Sequence, residues 1–212
     1  VVRKITTQME GPSLAIAETR LSTVMFIDMR GFSKASAEMT AEQVVTLIKQ
    51  AQSIIVPVIR AHGGTIDKFM GDGILASFGA VTDRPDHARD ALEAALKIVR
   101  DYGSWLKYEK KKSEPGLDIG IGIASGEIVY GIIGDPQRYE YTVIGDAVNT
   151  AAKLEKQTKM FRLKMLCDAR TAALATEQGF HRELNALENI EIEGLSGLVT
   201  VYSFMKEDVE VG

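Results

Sequence analysis

The chain has 212 residues, 45% hydrophobic and 25% charged, with a net charge of −4. This is an ordinary globular composition, long enough to bury a full core, and its acidic balance argues against nucleic acid, which calls for a basic face. Cys167 is the only cysteine, which rules out a disulfide framework and a Cys-based zinc site, and His62, His87 and His181 match no ligand spacing, so each is expected at the surface or at a cap.

No apolar run approaches the roughly 18 residues of a membrane span and no signal-peptide pattern is visible, so a cytoplasmic location is expected. The sequence opens on Val1 rather than Met, which leaves room for an upstream sensor or membrane domain outside it.

Along the chain, residues 1–20 show weak periodicity and read as a lead-in. STVMFID (22–28) is a buried-strand candidate ending at a polar turn. Thr40-Ala-Glu-Gln43 is a capping box that opens a helix with Val44, Leu47, Ile48, Ala51, Ile54, Ile55 and Val58 on one stripe. Pro57 should kink it and Gly63-Gly64 should end it. TIDKFMGDGILASFG (65–79) reads as a hairpin, because Asp-Gly is a common turn pair. A second helix opens near Pro85, with Ala88, Ala91, Leu92, Ala95, Leu96 and Val99 on its stripe, and frays near Gly103. The basic run Lys110–Lys112 at its end complements the helix dipole.

Leu117, Ile119, Ile121 and Ile123 alternate with Asp118, Gly120 and Gly122. That is a strand with one face stripped of side chains so that something can approach closely. IVYGIIG (128–134) and YEYTVIG (139–145) read as two further strands, followed by a helix over 146–157. A short strand (164–167), a short helix (168–175) and a last strand (199–205) complete a single domain over 21–206, with 207–212 as a tail. Strands and helices alternate, yet hairpins occur too. The expected fold class is therefore α+β: a mixed or antiparallel sheet with helices packed mainly on one face.

GIGIASG (120–126) is not a dinucleotide fingerprint, since its third glycine falls one residue late, and no P-loop is present. FIDMRGFS (26–33) offers a carboxylate at a strand end and a glycine turn with exposed N–H groups. Alone, Asp28 or Asp72 is more readily a simple turn residue than a ligand. On neighbouring strands they would form a pair of hard oxygen ligands suited to Mg²⁺, which takes its remaining ligands from water and substrate phosphates. Asn149 and Lys153 are four apart on a predicted helix and share a face, although a solvated pair would look the same.

Taken in order, FIDMRGFS, KFMGDG, YTVIGDAVNTAAKLE and GLSGLVTVY (194–202) resemble the class III nucleotide cyclases over about residues 20–205. The resemblance implies a ferredoxin-like fold and conversion of ATP to 3′,5′-cyclic AMP and pyrophosphate at sites shared across a homodimer. It implies that Asp28, Asp72 and the Met29 carbonyl bind two Mg²⁺ or Mn²⁺ ions. The N–H groups of Phe32 and Ser33 would hold the β- and γ-phosphates. Lys68 and Thr142 would read the adenine, with Met70 and Val143 lining its slot. Asn149 would orient the ribose, and Arg138 would touch phosphate. Lys153 stands where the family usually has a transition-state arginine, keeping the charge but losing the bidentate fork, and Leu195 stands where many members have a terminal-phosphate lysine. Those two departures leave a weakly active or inactive nucleotide-binding regulatory module as the alternative; a guanylyl cyclase ranks below both, and a generic α+β binding domain is the plainest reading.

Overall fold

The computed structural model of the chain describes residues 17–110, 117–135 and 138–209. Residues 1–16 of the expected lead-in, Lys111 and Lys112, and the end of the expected tail lie outside them. One sheet organises the rest, with strands β1 (Ala17–Arg30), β2 (Thr65–Met70), β3 (Gly73–Phe78), β4 (Asp118–Asp135), β5 (Arg138–Ile144), β6 (Met165–Asp168), β7 (Leu184–Glu191) and β8 (Leu198–Phe204). Its order is β2-β3-β1-β4-β6-β8-β7, with β5 paired to β4; every pairing is antiparallel except β4 with β6. The mixed α+β sheet is thus as expected from the alternation of strands and helices.

The helices are α1 (Phe32–Ser36), α2 (Ala41–Ala61), α3 (His87–Lys110), α4 (Asp146–Phe161), α5 (Ala169–Glu177) and α6 (Lys206–Val209). Helix α2 starts where its capping box predicts, with Thr40 Oγ1 accepting from the Gln43 N–H and Gln43 Oε1 from the Thr40 N–H. It continues through Pro57 to Ala61, and Gly63 beyond it takes φ 75°. Over 18 residues this helix reaches a mean hydropathy of 1.3, enough by length and composition for a membrane span, contrary to the sequence reading. Its Ala51, Ile55, Val58 and Ile59 are nonetheless buried in the domain core.

Two apolar layers cover the sheet. On one face, α2, α3 and α5 pack on Met25, Ile27, Ile119, Ile121 and Ile123. On the other, α4 alone sends Ala147, Ala151 and Leu154 against Val24, Leu75 and Ala124. Helices therefore lie mainly, not wholly, on one face. The bare face of β4 is where α4 lies: a Cβ on Gly122 would fall 2.0 Å from the Ala151 carbonyl oxygen. The glycines expected to admit a close neighbour admit this helix.

Several elements differ from the sequence reading. β1 begins at Ala17, inside the expected lead-in. Residues 118–135 form one long strand rather than two, because Gly126 pairs with Ser22 in the ladder instead of turning. Helix α3 passes Gly103 and reaches Lys110, with Tyr102 buried and stacked edge-on to Trp105 on either side of that glycine. β7 was not anticipated; its alternation is blurred by a register shift between Leu187 and Ile190. His62 caps α2 as expected, with Nδ1 2.8 Å from the Val58 carbonyl. His87 is 5% exposed instead, in a buried polar seam: its Nδ1 lies 2.7 Å from Thr23 Oγ1, which meets Ser125 Oγ at 2.7 Å, which meets Thr171 Oγ1 at 2.8 Å. The seam ties α3 and α5 to the two central strands, and burial lowers the His87 pKa, keeping the ring neutral.

Gly122→Ala places its methyl against backbone, which cannot give way, and should cost about 3 kcal/mol or more. Gly120→Ala meets only side chains, those of Glu155, Thr158 and Arg30, and should cost less. Urea unfolding of the two variants checks the order.

Candidate active site

Antiparallel pairing of β1 with β3, in the register Ile27↔Ile74, sets the end of β1 beside the β2–β3 turn. Asp28 and Asp72 come together there. Gly73 makes room: a Cβ on it would lie 3.4 Å from Asp28 Oδ1. The turn runs Met70-Gly71-Asp72-Gly73 with Gly71 alone at positive φ, 65°. The central pair is therefore Gly-Asp in the type II′ sense, not Asp-Gly.

The two carboxyl groups interact directly. Burial first, then the charge and a hydrogen bond of Asp72, push Asp28 up from 3.8 to about 6, against a lowering bond from the Met29 N–H. A like-charged, half-buried pair with one carboxyl held back from ionising is a site short of positive charge. The pair floors a cavity of about 460 Å³ lined also by Arg30, Phe32, Ser33, Lys34, Glu155, Lys156 and Lys159. Gly31 at φ 79° turns the chain into α1, and the first N–H groups of a helix have no partner within it. Phe32 and Ser33 supply two of them. The Met29 side chain points into the core, leaving its backbone as the only group it can offer.

Glu155 was missed in the sequence. It is 7% exposed, and burial, then Asp28, raise it from 4.5 to about 7 despite Arg30 and Lys156. Ala151, Leu154, Glu155 and Thr158 form the buried stripe of α4, so a carboxylate inside an apolar i, i+3, i+4, i+7 pattern was the available signal. Among the described residues no three acidic, histidine or cysteine side chains converge to hold a metal ion. Asp28 and Asp72 are thus a pair, with Glu155 standing off.

The remaining expected residues lie elsewhere. Lys68 Nζ donates to Thr142 Oγ1 at 3.2 Å, joining β2 to β5. Lys153 donates to the Gly194 carbonyl, in the loop that carries Leu195. Asn149 is exposed near the start of α4, and Met70 is 38% exposed at the hairpin tip. None of these lines the Asp28–Asp72 cavity. Val143 is 4% exposed and packs in the core layer under α4, so its side chain does not line an open slot as expected; the inward face of β5 claims it. The side chain of Arg138 lies outside the described residues.

The profile of the adenylate and guanylate cyclase catalytic domain matches residues 15–206. An adenylate cyclase of Anabaena cylindrica is 30% identical over 91% of this chain and 38% of its own length. The adenylyl cyclase CyaB from P. aeruginosa superposes with a TM-score of 0.81 at 25% identity, over 93% of this chain and all of that one. The guanylyl cyclase Cya2 gives 0.78 at 29% identity, over 88% and 92%. The chain spans about a third of the length of curated relatives, 30% for one Mycobacterium tuberculosis protein and 38% for the Anabaena enzyme.

The raised carboxyls fix the sign of a pH effect. Stability associated with the Asp28 proton is full below 3.8 and lost as pH rises through about 6. Without divalent metal, Asp28→Asn should match the parent chain near pH 4 and melt a few degrees higher near pH 7.5. Mg²⁺ or Mn²⁺ at pH 7.5 should raise the melting temperature of the parent chain and not of the variant. Thermal melts at both pH values, with and without metal, check this.

Proposed function

The chain belongs to the adenylate and guanylate cyclase catalytic domain family, and on that premise we propose that it is an adenylyl cyclase working as a homodimer. The observation that carries the proposal is the separation just described. One place on the chain gathers Asp28, Asp72 and the α1 N–H groups; another gathers Lys68 and Thr142. Each is half of what a nucleotide needs, and a second copy turned about a two-fold axis would set the halves face to face.

The carboxylate pair fits hard divalent cations, with the Met29 carbonyl as a further ligand. Two such ions would acidify the ribose 3′-hydroxyl and neutralise the departing pyrophosphate. Phe32 and Ser33 N–H groups hold the β- and γ-phosphates in line. From the other protomer, Asn149 orients the ribose, and Lys153 brings a positive charge to the five-coordinate α-phosphate. The 3′-oxygen, its proton passed to water, then forms its bond to the α-phosphorus as the bond from that phosphorus to the α,β-bridging oxygen breaks, giving cyclic AMP and pyrophosphate. Met70 completes the contacts on the base and Arg138 those on the phosphate.

Base choice follows from hydrogen-bond polarity. Lys68 has only donors, so it suits the N1 acceptor of adenine and opposes the N1–H of guanine. Its bond to Thr142 still leaves that hydroxyl a lone pair for the exocyclic amine. Lys68→Ala should lower kcat/KM for ATP roughly tenfold to a hundredfold. The likeness to Cya2 favours one second reading, cyclic GMP production; turnover of GTP above ATP in the same assay would establish it in place of the first.

Neither Asp72→Ala nor Lys68→Ala alone should have full activity, yet a mixture of the two should regain part of it, because one of the two mixed sites keeps both residues. Cyclic AMP release by the mixture, with Mg²⁺ and with Mn²⁺, is the measurement. A mixture no better than either chain alone removes the shared site, and no turnover in the parent chain leaves the regulatory module.

A further inference from the structure

We propose that Asp67 and Tyr141 form a buried bridge between β2 and β5 that holds Lys68 against Thr142 and thereby sets the selectivity between purine bases. The inference rests on the adenylyl cyclase reading and adds two positioning residues to it.

The ladder between β2 and β3 shifts register between Ile66 and Lys68. Lys68 pairs with Leu75, while Asp67 Oδ1 accepts from Ser77 Oγ at 3.1 Å. Leu75 and Ser77 are two apart on one strand and share a face. The extra residue of the bulge therefore brings Asp67 and Lys68, which would otherwise point to opposite faces, to the same one. That is the face covered by the second apolar layer, in which Leu75 is buried and against which Tyr141 packs.

Strands β2 and β5 pack together, but each takes its backbone pairing from another strand, β3 or β4. Only side chains can fix one against the other. Lys68–Thr142 is one such link. The preceding residue on each strand is Asp67 and Tyr141. Asp67 Oδ2 and the Tyr141 hydroxyl are both buried and both without a partner. One can only accept when ionised and the other can donate, so each is the complement the other lacks. Unpaired buried polar atoms are rare enough to call for an explanation, and since the two do not bond each other directly, a single water bridging them satisfies both. Burial raises the Asp67 carboxyl to about 7, and burial first, then the Asp67 charge, raise the Tyr141 phenol, which agrees with their sharing one poorly solvated place.

The test is a double-mutant cycle of Asp67→Ala and Tyr141→Phe, read as the ratio of affinities for 3′-deoxy-ATP and 3′-deoxy-GTP, which cannot cyclise. Tyr141→Phe keeps the ring and removes only the hydroxyl, so it reports even where Asp67→Ala does not fold. It should lower the ATP-to-GTP ratio roughly three- to tenfold, with little further effect in the Asp67→Ala background. An unchanged ratio in Tyr141→Phe, or an equal fall in both backgrounds, overturns the bridge while ATP binding keeps the cyclase reading. A parent chain that prefers the GTP analogue, with the ratio still moved by Tyr141→Phe, overturns the base choice and keeps the bridge. Binding of neither analogue overturns both.

Discussion

The seating of α4 on the glycine face of β4 is the contact on which the rest of the molecule depends. Gly122 lets backbone meet backbone, with the Ala151 carbonyl directly over the strand, and Gly120 leaves room for the Glu155 and Thr158 side chains. That depth brings Glu155 down beside Arg30 and the Asp28 end of β1, and it leaves Lys153 to reach across to the loop at Gly194. A helix perched on ordinary side chains would stand several ångströms higher. Glu155 would then leave the cavity wall, and the exposed side of α4 would shift with it. The same glycines explain why the opposite face of β4 is so uniformly branched: Ile119, Ile121 and Ile123 must by themselves fill the layer beneath α2, α3 and α5.

The β2–β3 hairpin depends on a second constraint, its irregularity. A regular ladder would alternate Asp67 and Lys68 across the sheet and carry the turn one residue out of step. The bulge after Ile66 and the Gly71 turn together allow one short hairpin to hold two charges for different ends. Asp72 is fixed at the tip beside Asp28, while Lys68, four residues back, is aimed at β5. Lys68 and Asp72 are close in sequence, yet Asp28 is the acidic group's partner and Thr142 the lysine's. The hairpin is better described as a spacer between two side chains with different partners than as a charged turn.

Much of this was legible in the chain. The Thr40–Gln43 box, the stripped face of residues 118–122 and the two aspartates at strand ends each carry a local physical cause, and each appears where that cause puts it. What was not legible is non-local. Gly126 looks like a strand breaker until Ser22 is seen opposite it. His87 looks like a surface cap until Thr23 and Ser125, far away in sequence, supply it with a buried partner. Val143 sits in a run that reads equally well in either phase, and only the β4–β5 register turns it inward. Glu155 was visible in principle, as a charge inside an apolar stripe, but an acidic residue on a helix is ordinarily solvated and only the low seat of α4 makes this one otherwise.

The cavity itself has a divided electrostatic character that bears on what it can hold. Its floor is acidic and partly desolvated, with Asp28 and Glu155 both displaced toward neutrality. Its rim carries Lys34, Lys156 and Lys159, all exposed. A simple anion would be drawn to the rim and repelled by the floor; a bare cation would be drawn to the floor and find no third acidic ligand there. A polyanion carrying its own divalent cations meets both conditions at once, the metal neutralising the aspartate pair while the lysines and the α1 N–H groups face phosphate oxygens. On the proposed function, metal and nucleotide would bind better together than either would alone. The raised carboxyl of Asp28 follows from burial beside the Asp72 charge, with no cation among the described side chains to offset the pair.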